Sequence, residues 1–281
     1  MYILGTDISK WQDDNSTPQM MDFVKAKSEG LNFSYIKISQ ANWLDQDYTI
    51  NWNNAKLAGM PRGGYHFMDW TVPAVTQARF FFGALEKDMG ELEPVLDFEC
   101  RTNVPSKEKA CQAAYDFVLE FERLAGIKPT IYTSPSYWKE FGSTNIWWKQ
   151  FKLWIANYYV DKPSIPSPWD KWYMWQFTDR GDGIRYGAES YGLDLNYFNN
   201  IDYEFKFDHI PEPPKPPEQP EEFPFMIETT PWLLNVRTEP IIKLSTKIGT
   251  VCKGKQLVAT NRDGDWYKVA AYVHKDYVKK I

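Results

Sequence analysis

Eight short apolar runs punctuate the first 200 residues, at 2–8, 33–38, 63–68, 94–99, 129–133, 153–158, 173–178 and 193–198. Each has the length of a buried strand. Between the earlier runs, apolar positions recur every three or four residues, the period of a helix buried on one face. Thr17-Pro18 supplies an N-cap followed by proline at the first helical position, opening a helix expected to stop at Gly30. The stretches 72–89 and 106–125 carry the same period and run into Gly90 and Gly126. Glycine suits the left-handed turn that ends a helix. The triplet Phe80-Phe81-Phe82 is expected on the buried face of its helix. Such alternation predicts a parallel α/β architecture, and eight strands favour a closed barrel over an open sheet. The last three runs leave little room for helices, so the expected barrel is irregular.

The pattern breaks at Pro211-Glu-Pro-Pro-Lys-Pro-Pro-Glu-Gln-Pro-Glu-Glu222. Proline at that density makes an extended spacer and cannot join a packed core. Beyond it the runs shorten, to 233–236, 247–251, 256–259, 266–270 and 271–273, with turns at Gly249, Gly254 and Asp263-Gly264. That spacing predicts a small all-β barrel. The expected domains are therefore 1–210, a linker at 211–222, and 223–281.

Charge sharpens the division. Residues 1–210 carry a net charge of −7, the linker −3 and residues 223–281 +5. A basic appendage on an acidic body points to a negatively charged surface as its target. No run approaches a membrane span, and Met1 leads directly into Tyr-Ile-Leu-Gly with no basic region or cleavage site, so neither membrane insertion nor a signal peptide is expected. Three cysteines and three histidines, unclustered, argue against a disulfide framework and a structural metal. No cofactor and no nucleic acid is expected. The 13 Trp exceed ordinary core needs and hint at a site that stacks sugars.

The strand ends are chemically loaded: Asp7, Lys37, His66, Asp97 with Glu99, Tyr132, Asn157, Gln176 and Asp194. In barrels of this kind catalytic groups sit at the C-terminal ends of the strands. The strongest local signal is Pro94-Val-Leu-Asp-Phe-Glu99. Asp97 and Glu99 lie two apart on a strand and face the same way, so each favours the neutral form of the other. Glycoside cleavage needs such a pair, one acid for the leaving oxygen and one anion for the developing positive charge. Lys37, inside an apolar run, is expected to pair with one of these carboxylates. Metal hydrolysis lacks an H-E-x-x-H pattern, serine hydrolysis lacks G-x-S-x-G, and no glycine loop would cradle a phosphate.

Nine segments in order extend this reading: Gly5-Thr-Asp-Ile-Ser-Lys-Trp-Gln12, Tyr35-Ile-Lys37, Ala58-Gly-Met-Pro-Arg-Gly-Gly-Tyr-His-Phe67, Gln77-Ala-Arg-Phe80, Pro94 to Glu99, Ile131-Tyr-Thr-Ser134, Leu153-Trp-Ile-Ala-Asn157, Trp175-Gln176 and Asp194-Leu-Asn196. Together they resemble glycoside hydrolase family 25, the lysozymes common in bacteriophage endolysins. The resemblance implies an irregular TIM-like (β/α) barrel of five helices and eight strands that cuts peptidoglycan as an N-acetylmuramidase. It implies Glu99 as proton donor, Asp97 as holder of the substrate acetamido group or stabiliser of the charged intermediate, and Asp7 and Asp194 completing an acidic floor. Lys37, Tyr65, His66, Trp70, Tyr132, Trp154, Asn157 and Gln176 are the expected substrate-binding residues. An insertion-like segment at 179–191 departs from the pattern.

The second module resembles the bacterial SH3-like domain through Leu234-Asn-Val-Arg237, Ile248-Gly249, Gly264-Asp-Trp-Tyr-Lys268 and Tyr272-Val-His-Lys-Asp-Tyr-Val278. The resemblance implies a wall binder, with Asn235, Arg237, Trp266, Tyr267, Tyr272 and Tyr277 expected at its surface and peptidoglycan or an anionic wall polymer as partner. Three other readings are a cellular autolysin exported by another route, a wall-binding protein with an inactive barrel, which would not need four acids, and a chitinase-like glycosidase, which would not need a wall-directed module.

Overall fold

The computed structural model describes residues 2–12, 21–205, 224–230, 233–240, 247–263, 266–269, 272–274 and 278–280. The chain divides into two compact units, 1–210 and 211–281. The proline-rich segment 211–222, expected as a spacer, lies outside the described residues.

In the first unit the elements run β1 (Ile3–Ile8), α1 (Phe23–Ser28), β2 (Ser34–Gln40), β3 (Trp43–Leu44), α2 (Tyr48–Leu57), β4 (Arg62–Phe67), α3 (Ala74–Leu85) and β5 (Val95–Asp97). They continue with α4 (Lys107–Ala125), β6 (Thr130–Thr133), α5 (Pro135–Phe141), β7 (Leu153–Ala156), β8 (Met174–Asp182) and β9 (Gly192–Phe198). The strand order β1-β9-β8-β7-β6-β5-β4-β2 closes through a β1–β2 pairing, giving an eight-stranded barrel with β3 added as a hairpin on β2. Pairs from β1 to β8 around the β2 side are parallel, while β8–β9 and β9–β1 are antiparallel. A parallel step needs a crossover and an antiparallel one does not. The crowded last strands thus return without a helix between β8 and β9.

Strand alternation sorts side chains into two cores. One face carries Ile8, Ile36, Ile38, Leu96, Ile131, Leu153 and Ile155 outward against Phe81, Phe117 and Phe121 of α3 and α4. The other carries Phe33, Tyr35, Val95, Tyr132, Trp154, Met174 and Phe198 into the barrel. The interior is too full for a side chain everywhere. A Cβ on Gly5 would come within 2.4 Å of the Phe33 ring, and one on Gly63 within 2.3 Å of the Tyr35 ring. These glycines let large aromatics fill the barrel below the strand ends.

Three helix expectations shift, one of them the helix expected over 72–89 and ending at Gly90, which spans only Ala74–Leu85 and ends five residues short of that glycine. The described part of the first helix begins at Phe23, where the Asp22 side chain accepts the Lys25 N–H at 2.9 Å, and Thr17-Pro18 lie outside the described residues. Of the phenylalanine triplet only Phe81 is fully buried, because a helix turns about 100° per residue and three consecutive side chains cannot share one face. The end of α4 is as expected, with Gly126 at φ +71 closing onto the Glu122 carbonyl.

The second unit is all strand as described. β10 (Phe225–Thr229) pairs with β13 (Gln256–Ala259) and β17 (Val278–Lys280). A second sheet runs in the order β12 (Lys247–Cys252), β11 (Leu233–Arg237), β16 (Tyr272–His274), β15 (Trp266–Lys268), β14 (Asn261–Asp263). Ile227, Leu234, Ala259 and Tyr267 form its core. Arg237 and Tyr267, expected at a binding surface, are buried instead, Arg237 at 2% exposure. Their strands alternate, and these positions fall on the inward side. Asn235 and Trp266 are half-buried. Of Tyr272 only the backbone is described, and Tyr277 lies outside the described residues.

Candidate active site

The C-terminal ends of the parallel strands open into a cleft of about 270 Å³. Asp7, Lys37, Tyr65, Asp97, Glu99, Tyr132, Trp154, Gln176 and Asp194 all line it. Each continues the inward-facing series of its strand. All four expected acids are therefore brought together.

Asp7 and Asp194 are direct partners across the antiparallel β1–β9 pair. Gln176 and Asn196 donate to the Asp7 Oδ2 atom at 2.8 and 2.7 Å. A third hydrogen bond joins Asp7 to Asp194. Burial raises the Asp7 pKa to about 6, with these donors opposing. Burial and then the charge of Asp7 push Asp194 to about 9, so Asp194 keeps the proton and donates it to Asp7. The donors are held in turn. The Gln176 carbonyl accepts the Tyr132 and Tyr158 hydroxyls at 2.8 and 2.6 Å, which turns its amide N–H toward Asp7. Trp154 Nε1 fixes Asn196 at 2.8 Å in the same manner.

Asp97 ends β5, and Glu99 lies two residues on, in the same cleft. Asp97 is buried, and its Oδ1 atom has no hydrogen-bond partner among the described residues. Burial first, then the charge of Glu99, pushes the Asp97 carboxyl well above the ordinary range. Glu99 rises to about 7, through burial and then the charge of Asp7, while Lys37 and Arg101 oppose. Near neutrality the Asp97–Glu99 pair thus retains a proton, as the two-residue spacing predicts.

Lys37 makes no ion pair within 4.0 Å among the described residues, contrary to expectation. Its ammonium donates to Gln40 Oε1 at 2.9 Å and lies 4.9 Å from the Phe67 ring and 5.7 Å from the Trp43 ring. Burial lowers its pKa, while the charges of Asp97 and Asp45 support the ammonium.

Three expected substrate-binding residues lie elsewhere. His66 is fully buried on the outer side of β4, between Ser39 Oγ at 2.8 Å and Gln77 Oε1 at 2.9 Å, stacked on Phe117. Burial lowers its pKa to about 4, so the ring is neutral. Trp70 packs edge-on against Phe98, with its N–H on the Cys100 carbonyl at 2.9 Å, and lines a separate hollow beside Asp69. The Asn157 side chain accepts the Ser164 N–H at 2.9 Å and shapes the loop after β7.

Sequence reasoning passed over Tyr158, Trp11, Gln12 and Phe67, which also line the cleft. Phe67 and Tyr65 share one face of β4, a signal readable from alternation. The 179–191 segment braces the cleft wall. Ser190 N–H bonds the Gln12 carbonyl at 3.2 Å, and Asp22 N–H bonds the Gly187 carbonyl at 2.9 Å. A Cβ at Gly187, where φ is +88, would meet the Asp22 carbonyl oxygen at 2.7 Å, which explains glycine there.

A closed barrel whose strand ends gather four carboxyls, some kept protonated near neutrality beside ionised neighbours, is the apparatus of a glycoside hydrolase. The chain belongs to glycosyl hydrolases family 25, whose family model matches residues 6–183, and a bacterial SH3 domain matches residues 232–279. It is similar to the uncharacterized protein YegX of Escherichia coli O157:H7, 30% identical over 75% of this chain and 76% of that one. Lysozyme M1 of Streptomyces globisporus is 30% identical over 70% of this chain and 68% of its own. The crystal structure of the bacterial lysozyme from Streptomyces coelicolor superposes with a TM-score of 0.62 at 26% identity, covering 71% of this chain and 93% of that one.

Proposed function

We propose that the protein is an N-acetylmuramidase of the endolysin kind, hydrolysing the β-1,4 bond between N-acetylmuramic acid and N-acetylglucosamine in peptidoglycan. The observation that carries this reading is the Oδ1 atom of buried Asp97, which has no hydrogen-bond partner among the described residues, two residues from Glu99, whose pKa burial raises to about 7. A buried acceptor without a donor is costly, about 1–3 kcal/mol, and the 2-acetamido N–H of a wall sugar supplies that donor. Glu99 would give its proton to the glycosidic oxygen as the C1–O bond breaks. Asp97, on the same side as Glu99, would orient the acetamido group so that its carbonyl oxygen attacks C1. Water, activated by the Glu99 carboxylate, would then open the cyclic intermediate and restore the acetamido group, with retention at C1. Acids that flank a bond across the ring stand about 6.5–9.5 Å apart on opposite faces, an arrangement that neighbours on one strand do not suit. Ionised Asp7 would stabilise the positive charge at C1.

The lysozymes among the similar proteins support the wall as substrate, and the basic 223–281 module suits an anionic wall. An acidic barrel carried to the wall by a basic module suits an endolysin that acts after release. Digestion of a panel of purified bacterial walls, followed by turbidity and by mass analysis of the fragments, tests the reading. N-acetylmuramic acid should appear at every new reducing end. Fragments ending in N-acetylglucosamine, or no release from any wall, would overturn it.

A further inference from the structure

Outside the catalytic floor, the cleft mouth over β1 and β2 carries two exposed indoles and an ammonium. Trp11, in the turn after β1, is 65% exposed and lines the cleft, and Trp43, on β3, is 41% exposed. The Lys10 ammonium lies 4.9 Å from the Trp11 ring and 5.8 Å from the Trp43 ring. Trp43 also faces the Lys37 ammonium of the cleft at 5.7 Å, so the three residues border the site continuously. Asp45 fixes their spacing. Its Oδ2 accepts the Lys10 backbone N–H at 3.4 Å, its Oδ1 accepts the Asp47 N–H at 3.1 Å, and its own N–H bonds the Ile38 carbonyl at 2.9 Å.

The charges near the cleft make Lys10 distinctive. Arg101, close to Glu99, is paired with Glu140 at 3.1 Å. Lys37 is buried and held by Gln40. Lys10 makes no ion pair within 4.0 Å among the described residues. The carboxyls of the cleft that are ionised would repel an anionic substrate.

Resting on the muramidase reading, we propose that Lys10, held between Trp11 and Trp43, binds a carboxylate carried by N-acetylmuramic acid, while the two indoles support the sugar rings. The carboxylate comes either from the lactyl ether or from the peptide attached to it. The rim would select a charged wall glycan over a neutral polymer of N-acetylglucosamine. It would do so through binding, since it lies away from the reacting bond.

The test compares wild type with Lys10→Gln, Lys10→Arg and Trp43→Ala on three soluble wall glycans. One keeps its peptides, one has them removed to free the lactyl carboxylate, and one has every carboxylate converted to the neutral methylamide. Lys10→Gln should raise KM about three- to tenfold on a charged glycan with kcat unchanged, the scale of one partly exposed charge contact. On the methylamide glycan it should match wild type, and Lys10→Arg should behave as wild type throughout. Trp43→Ala should raise KM on all three. A KM effect confined to the first or second glycan names the source of the carboxylate. Equal behaviour of Lys10→Gln and wild type on both charged glycans, or an equal loss on all three, would overturn the proposal. Failure of the wild type to cut any of the glycans would instead overturn the muramidase reading.

Discussion

The amide of Gln176 donates to Asp7 Oδ2 at 2.8 Å, while its carbonyl is pinned by the hydroxyls of Tyr132 and Tyr158. With Asn196 donating to the same oxygen at 2.7 Å, two neutral side chains fix which oxygen of Asp7 is satisfied and keep that acid easier to ionise than its burial alone would allow.

Activity should follow a bell in pH. Asp7 must be ionised, so the rate falls below about pH 6, and Glu99 must be protonated, so it falls above about pH 7. Gln176→Leu removes one donor to Asp7, and a hydrogen bond to a charged group is worth about 1.5–3 kcal/mol. One pKa unit corresponds to about 1.4 kcal/mol, so the acidic limb should move upward by about one unit or more. Rates on soluble glycan between pH 4 and 9 check this, and an unmoved acidic limb would remove Asp7 from the titrating set.

Glu99→Gln keeps the shape of the side chain and removes its proton. General acid catalysis supplies about 10²–10⁴-fold, and the rate should fall by at least the lower figure with an unchanged circular dichroism spectrum. Near-normal turnover by the folded variant would exclude Glu99 as the donor.

Stability should fall on the alkaline side. Asp194 has a folded-state pKa of about 9 against an ordinary 3.8, so the folded protein binds the extra proton. Its contribution is complete below about pH 4 and is lost progressively as pH rises toward 9. Asp194→Asn cannot ionise, and its amide can still donate to Asp7. The variant should melt higher than wild type at pH 8 and close to wild type at pH 4. A lower melting temperature than wild type at pH 8 would contradict the assignment.

The strand ends were legible because each acid follows an apolar run, and a barrel brings strand ends together whatever the loops do. Alternation explains both the success and the main error. Tyr65 and Phe67 share the inner face of β4, so His66 between them had to point outward, under α3 and α4. Naming Tyr65 and His66 together as substrate-binding ignored that parity. Trp70 and Asn157 were misplaced for another reason, since each follows its strand and is oriented by a loop bond that no periodicity reports. The Lys37 environment was equally hidden. Its partner, Gln40, comes from the same strand across a register shift between Lys37 and Ser39. In the second unit, Arg237 is a buried charged residue where the resemblance implied a binding surface.

The two units should act separately. Residues 1–210 alone should cut soluble glycan as fast as the full chain but whole walls more slowly, because tethering raises the local concentration of enzyme. Residues 223–281 alone should sediment with walls, and less so as salt increases. Equal rates on whole walls with and without the second unit would show that it does not serve as an anchor.

The most direct measurement is the configuration of the first product. Proton NMR during the first seconds of hydrolysis shows whether the new N-acetylmuramic acid end appears as the β-anomer. Mass spectrometry of rapidly quenched enzyme shows any sugar bonded to the protein. Attack by the acetamido group, with Asp97 orienting it and Glu99 protonating the leaving oxygen, predicts the β-anomer and no adduct. An initial α-anomer, or a glycosyl adduct on Asp97 or Asp194, would contradict it.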